Sequence, residues 1–383
     1  MNLKSENLVE IRRDFHRFPE LGFKEKRTKD KIIGYLKELG LDVHSGAGIV
    51  GVLRSGEGNK VIGLRADMDA LPIRETNTHD YVSNNTGVMH ACGHDGHMAM
   101  LLGAAHKLST NANFSGTIVF IFQPNEELGL GAKAMMDEGL LENFPMQEIY
   151  GMHNLPGVPT GELLTRSGII CSSESLFEIK IKGMGGHSSM PQLGRDAITI
   201  GAEVVQALQT IISRRIASGS GAVVSVTEFI SNGQRNVLPG ETILKGDVRT
   251  RRPSDRKKIE LFLHQIASGI ASAHDIEIEV SFETEFIETN NHIKPTEAVL
   301  KTAKKSGLKV TDCKPMSFSE DFAHFSNAVP GCFFLFGNGI DGANNKPLHS
   351  SDYDFNDDLL PIGADFWANL AKNRLSTEGS NSV

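Results

Sequence analysis

The densest reactive stretch of the sequence is His90-Ala91-Cys92-Gly93-His94-Asp95-Gly96-His97, where one cysteine, three histidines and one aspartate fall within eight residues. Thiolate and imidazole ligate Zn, Mn, Ni or Co, and carboxylate joins them readily. The alternative is a polar helix cap with incidental histidines, and His97, one turn beyond His94, can equally be a packed or solvated residue. Asp67-Met68-Asp69 follows an apolar strand pattern. Residues two apart in extended chain face one side, so one of these carboxylates could orient a ligand histidine, or the pair could open a turn before Leu71-Pro72. Glu126-Glu127 follows another buried-strand pattern. If one binds a metal while the other sits in an apolar site, the second can act as general base for a metal-activated water; a solvated loop is the bland reading. His153 and His349 stand alone in sequence, yet each follows a strand pattern.

The elements that must position these groups read as alternating helices and strands. Apolar spacing predicts helices over 8–15 (ended by Pro19), 28–39, 95–108 and 132–138, and strands over 49–53, 60–65, 117–122 and 149–152. That alternation predicts an α/β fold with a mostly parallel central sheet. The carboxyl edge of such a sheet is where its sites form, and most of the reactive groups follow a predicted strand. From about residue 175 the texture changes to strand 176–181, helix 197–212, strands 223–229 and 242–250, helix 256–271 and strand 276–282. This β-α-β-β-α-β order is the split βαβ arrangement of a ferredoxin-like α+β domain. Helix–strand alternation then resumes with 296–306, 332–336 and 359–375. The expected organisation is an α/β domain in two parts, 1–173 and 290–383, interrupted by a smaller α+β domain over 174–289.

Composition narrows the classes. The chain has 383 residues, 39 basic against 47 acidic, for a net charge of −8. That argues against a nucleic-acid partner. No apolar run approaches the ~20 residues of a membrane span, and the N-terminal residues lack a signal-peptide core. Four scattered cysteines suggest free thiols rather than a disulfide scaffold, hence a cytoplasmic protein. Gly337-Asn338-Gly339-Ile340-Asp341-Gly342 fits a dinucleotide pattern, but no helix start follows it. Gly129-Leu130-Gly131-Ala132-Lys133-Ala134 precedes a helix but lies behind the acidic pair.

Ten landmarks in order make the sequence resemble the two-metal aminoacylase and carboxypeptidase superfamily, peptidase family M20. They are RRDFHRFPELGF (12–23), LRADMDALPI (64–73), MHACGHDGH (89–97), FQPNEE (122–127), GMHN (151–154), GGHSSMP (185–191), NVLPG (236–240), GDVRT (246–250), SEDF (319–322) and LHSSDYDFND (348–357). Within the superfamily the resemblance is to the amidohydrolase branch of hippurate, indole-acetyl-amino-acid and N-acyl amino acid hydrolases. It implies two divalent metal ions (Mn, Zn, Ni or Co) held by Cys92, His94, Glu127, His153 and His349. It makes Glu126 the general base, and Asp69 the residue that orients the site. The interrupting domain becomes a lid and dimerisation domain whose His187 reaches a partner subunit's oxyanion in a homodimer, with Asn236 and Arg249 at substrate-contacting positions. Two departures from the commonest motif forms are Asn125, where Ala is usual, and Ser350-Ser351 after His349. The implied reaction is hydrolysis of an N-acyl amino acid. The rivals are an aminopeptidase or dipeptidase on the same metals and a non-catalytic binding protein of the same fold.

Overall fold

The computed structural model describes residues 8–376. Two compact units divide the chain. The first comprises the chain through Ile170, Thr289–Lys314 and the residues from Asp321 onward; the second comprises Cys171–Glu288 with Pro315–Glu320.

The first unit is built on an eight-stranded sheet in the order Asp42–Ser45, Ile49–Ser55, Gly116–Gln123, Val61–Asp67, Glu148–Pro156, Gly331–Gly339, Leu163–Thr165, Val310–Asp312. Its four central strands are parallel. Three pairings toward the flanks are antiparallel, so the sheet is mixed, with four of its seven pairings parallel. The reason is local. Strands Asp42–Ser45 and Ile49–Ser55 are joined by too few residues for a crossover, so they close as a hairpin. Leu163–Thr165 and Val310–Asp312 are too short to show any periodicity.

In the central strands both faces are buried. Ile118, Phe120 and Phe122 alternate with Val119 and Ile121, all essentially without solvent contact, as expected where helices cover both sides. Helix His94–Thr110 is buried along almost its whole length, including its polar first turn. It packs in the same core as helix Leu359–Leu375. Gly363 sets how close these helices come, because a Cβ there would lie 2.0 Å from Met100 Sδ. The parallel strands bring one set of ends to one edge. Asp67 closes the first strand, the 124–127 turn leaves the second, His153 lies near the end of the third, and the loop after the fourth carries His349.

The second unit has a four-stranded antiparallel sheet in the order Val223–Ser231, Glu241–Thr250, Ser173–Lys182, Glu277–Phe286. With helices Ala197–Thr210 and Pro253–His274 it follows the β-α-β-β-α-β chain order. Burial alternates strictly along Glu241–Thr250, the signature of a sheet with one covered face. Leu244 and Val248 pack there with Ile179, Ile200, Val204, Ile259 and Leu263. Among the described residues no helix is long and apolar enough to cross a membrane.

Candidate metal centre

Gly93 takes a positive φ of 92° immediately before helix His94–Thr110, a turn that L side chains resist. This turn places Cys92 and His94 in the core of the first unit. Cys92 Sγ lies 3.3 Å from His153 Nε2. The other His153 nitrogen, Nδ1, donates to the Asn154 carbonyl at 2.7 Å, so the lone pair of Nε2 is left facing the thiol. His94 Nδ1 donates to the Asp69 carbonyl oxygen (2.9 Å) and to Asp69 Oδ1 (3.2 Å), which turns Nε2 toward Glu127 Oε1 at 4.0 Å. Asp69 Oδ2 accepts the Glu127 N–H at 3.0 Å. One buried carboxylate therefore fixes both His94 and Glu127. The second Glu127 oxygen lies 3.3 Å from His349 Nε2.

His349 is held at φ 65°, in the left-handed region, which costs a non-glycine residue roughly 1–2 kcal/mol. Its N–H donates to the Ala91 carbonyl at 2.8 Å, so the segment carrying Cys92 pins the loop carrying His349. Asn125 stands at φ 48°. Asparagine tolerates that conformation better than alanine, which accounts for its place ahead of the glutamate pair. Glu126 is 6% exposed, and its Oε1 receives the Asp321 N–H at 3.4 Å.

Ligand atoms of Cys92, His94 and His153 lie within 4.8 Å of one another, as do those of Cys92, Glu127 and His349, and those of His94, Glu126 and Glu127. His94 Nε2 and Glu127 Oε1 are buried without a hydrogen bond. Burial pushes the Cys92 thiol well above its ordinary value, and Glu127 and Glu126 push it further. Burial also lifts Glu127. His94 is opposed by burial, yet Asp67 and Asp69 raise it to about 10. The cluster carries more negative charge than its own side chains neutralise, the electrostatic condition for holding cations.

The structure thus gathers Cys92, His94, Glu126, Glu127, His153, His349 and Asp69 in the first unit. His97 takes the packed alternative: Nδ1 donates to Asp67 Oδ1 at 2.6 Å, and Nε2 lies against Asn154, 2.9 Å from its side-chain oxygen and 3.1 Å from its backbone nitrogen. His187 and Asn236 lie together in the second unit, where strand Gly186–His187 pairs with Val237–Leu238 and the Ser188 N–H donates to the Asn236 carbonyl at 3.1 Å. Ser189 N–H donates to His187 Nδ1 at 3.2 Å, which leaves the ring proton on Nε2. Arg249 is bound within the same unit by Asp247 (2.9 Å), Ser319 Oγ (3.0 Å) and Glu174.

Sequence reasoning missed the support beneath the centre. Arg65, fully buried, donates to Asp67 (2.6 Å), Gln123 (2.8 Å) and Asp321 (3.0 Å). Gln123 Nε2 in turn donates to Asp321 at 2.8 Å, and Asp321 Oδ2 accepts the Ala132 N–H at 2.9 Å. The signal was present, since these residues lie inside LRADMDALPI, FQPNEE and SEDF, but nothing in one sequence says that three separate motifs share one arginine.

Residues 63–373 match peptidase family M20/M25/M40. A hippurate hydrolase of Campylobacter jejuni is 38% identical over 94% of this chain and 94% of its own length. An N-acetylcysteine deacetylase of Bacillus subtilis is 32% identical over 97% of each chain. Among solved structures, the Bacillus subtilis YXEP protein, described as a dinuclear metal binding peptidase from the M20 family, superposes with a TM-score of 0.85 at 30% identity, over 97% of this chain and 98% of that one. With this breadth of match added to the geometry, the chain belongs to peptidase family M20/M25/M40 and is a hydrolase acting on amide bonds.

Proposed function

We propose that this chain hydrolyses the amide bond of N-acyl amino acids, releasing a carboxylate and a free amino acid. The observation that carries the reading is the convergence of Cys92, His94, Glu127, His153 and His349 beside the buried Glu126 carboxyl. The names of the hippurate and N-acetylcysteine relatives support the substrate class. The donor set fits two divalent ions per chain. It shares Cys92 between two triads, keeps His94 Nε2 and Glu127 Oε1 buried without hydrogen bonds, and mixes thiol, imidazole and carboxylate in a way that suits Zn, Mn, Ni or Co. When bound, such ions supply Lewis acidity toward the amide carbonyl and lower the pKa of a water.

The remaining work falls to side chains. Glu126 takes the proton of the attacking water at its carboxylate and returns it to the leaving nitrogen; the Asp321 N–H holds the carboxylate from behind. Asp69 keeps the His94 proton on Nδ1 and so keeps Nε2 bare for a metal. His187, whose proton sits on Nε2, donates to the oxyanion, a contribution of about 2.7–4 kcal/mol for such donors. Asn236 lies beside it. Arg249 would take the substrate carboxylate in a forked pair of hydrogen bonds by exchanging Glu174. In this reading the 171–288 unit is a lid and builds a homodimer, and His187 serves the neighbouring subunit.

The test is turnover of hippurate, N-acetyl amino acids and dipeptides by chelated and metal-restored protein, with Glu126→Gln alongside. Activity on acylated amino acids should vanish with chelator and return with metal. The variant should retain metal and lose most of kcat. Near-normal kcat in Glu126→Gln at saturating metal would remove the base assignment, and preference for dipeptides would shift the substrate class.

A further inference from the structure

A second group of ligand-type side chains lies in the first unit, apart from the centre described above. His16 on helix Leu8–Arg17, Glu75 and His79 bring their ligand atoms within 4.8 Å of one another. His16 Nε2 is 3.1 Å from Glu75 Oε1, and His79 Nε2 is 3.4 Å from the same oxygen. Ligands at about 2.0–2.2 Å in a tetrahedral site are separated by roughly 3.3–3.5 Å along each edge, so the His79–Glu75 edge already has the needed length and the His16–Glu75 edge is a few tenths of an ångström short of it.

The surroundings prepare these atoms. His16 Nδ1 is bonded to Asp95 Oδ2 at 2.8 Å, the carboxylate–histidine pairing that orients metal-ligating imidazoles. The His79 ring stacks on Tyr81 at 3.7 Å and 14°. Both His79 nitrogens are covered from solvent and neither makes a hydrogen bond; satisfied polar groups are the rule at such positions. The other Glu75 oxygen is fixed by the Ser83 N–H at 2.7 Å. Asp95, Asp354 and Asp357 pair with Arg12 and Arg13, while Glu75 is left to His16, His79, Asn77 and Ser83.

We infer that His16, Glu75 and His79 form a third divalent-metal site, of the two-imidazole, one-carboxylate type that suits Zn2+. Its ion would clamp helix Leu8–Arg17 to the 74–83 loop. The His79 side chain is 19% exposed, so the site lies close to the surface.

Equilibrium dialysis of the full-length protein against buffered Zn2+, with bound metal counted by elemental analysis, tests the site. His79→Ala should bind one Zn2+ fewer per chain than wild type, and Glu75→Gln should show the same loss. Because the readout is a difference of one ion, it does not depend on how many ions the Cys92 centre takes. Zn2+ should also raise the Tm of wild type more than that of either variant. Equal zinc counts in wild type and either variant, with folding verified by circular dichroism, would overturn the inference.

Discussion

Asp69→Asn should separate orientation of the centre from its chemistry. Asp69 accepts three hydrogen bonds: two from His94 Nδ1, one of them at the backbone oxygen, and one from the Glu127 N–H. An asparagine oxygen can keep one of the two side-chain bonds, and its amide then meets the other donor with a donor. If the oxygen stays on the Glu127 N–H, the amide group faces His94 Nδ1–H. The ring can relieve the clash by moving its proton to Nε2, the nitrogen that points at Glu127 and is needed as a ligand. The unchanged Asp69 backbone oxygen, at 2.9 Å, resists that shift. Loss of one charge-assisted bond costs about 1.5–3 kcal/mol. Removing a partner that orients a metal ligand typically lowers metal affinity about 10–100-fold, equivalent to about 1.4–2.8 kcal/mol. The two ranges agree. The assay is metal affinity by competition with a chromogenic chelator, paired with kcat at saturating metal. Affinity should fall at least tenfold while kcat largely recovers in excess metal. Affinity within twofold of wild type in a folded variant would refute the orienting role.

Three further outcomes are expected. Mixing inactive His187→Ala with inactive Glu126→Gln subunits should restore part of the activity, since one site of the heterodimer then holds both native residues; no recovery after verified subunit exchange would confine His187 to its own chain. Burial opposes ionisation of Glu148, but Arg374, Lys60 and Tyr150 outweigh it and hold its pKa at about 2. Its stabilising contribution is therefore complete above about pH 4.5 and lost as pH falls toward 2, so Glu148→Gln should flatten the urea midpoint against pH across that window. Gly131→Ala would put a Cβ 1.6 Å from the Pro124 carbonyl oxygen. It should cost roughly 1–3 kcal/mol by denaturant unfolding and, by shifting the turn that carries Glu126 and Glu127, lower kcat at least tenfold.

Much of this was legible because the informative residues lie next to regular elements. The buried run of Gly116–Gln123 and the apolar helix after Cys92 announce a sheet and its covering layer, and the groups that follow them fall at one edge. The edge strands were not legible, because three or four residues carry no period. His97 was ambiguous because spacing alone cannot distinguish a ligand from a histidine held between Asp67 and Asn154. Arg249 stands at a substrate-contacting position by resemblance, but its present partners are Glu174, Asp247 and Ser319, and two of these are distant in sequence. The shared arginine beneath the centre was hidden for the same reason: Arg65 meets Asp321 across 256 positions.

The strand order has a consequence for biosynthesis. Gly331–Gly339 lies between Glu148–Pro156 and Leu163–Thr165, so a central strand of the sheet is laid down long after the neighbours on either side of it. The outer edge of Glu148–Pro156 waits unpaired while roughly 180 further residues emerge, about 10–40 seconds at ordinary elongation rates. An apolar, unpaired edge is a template for association with other nascent chains. Most of the 171–288 unit can collapse during that interval. His349 follows the late strand, so the centre cannot be assembled, and no amide can be cut, until the sheet has closed around its last central member.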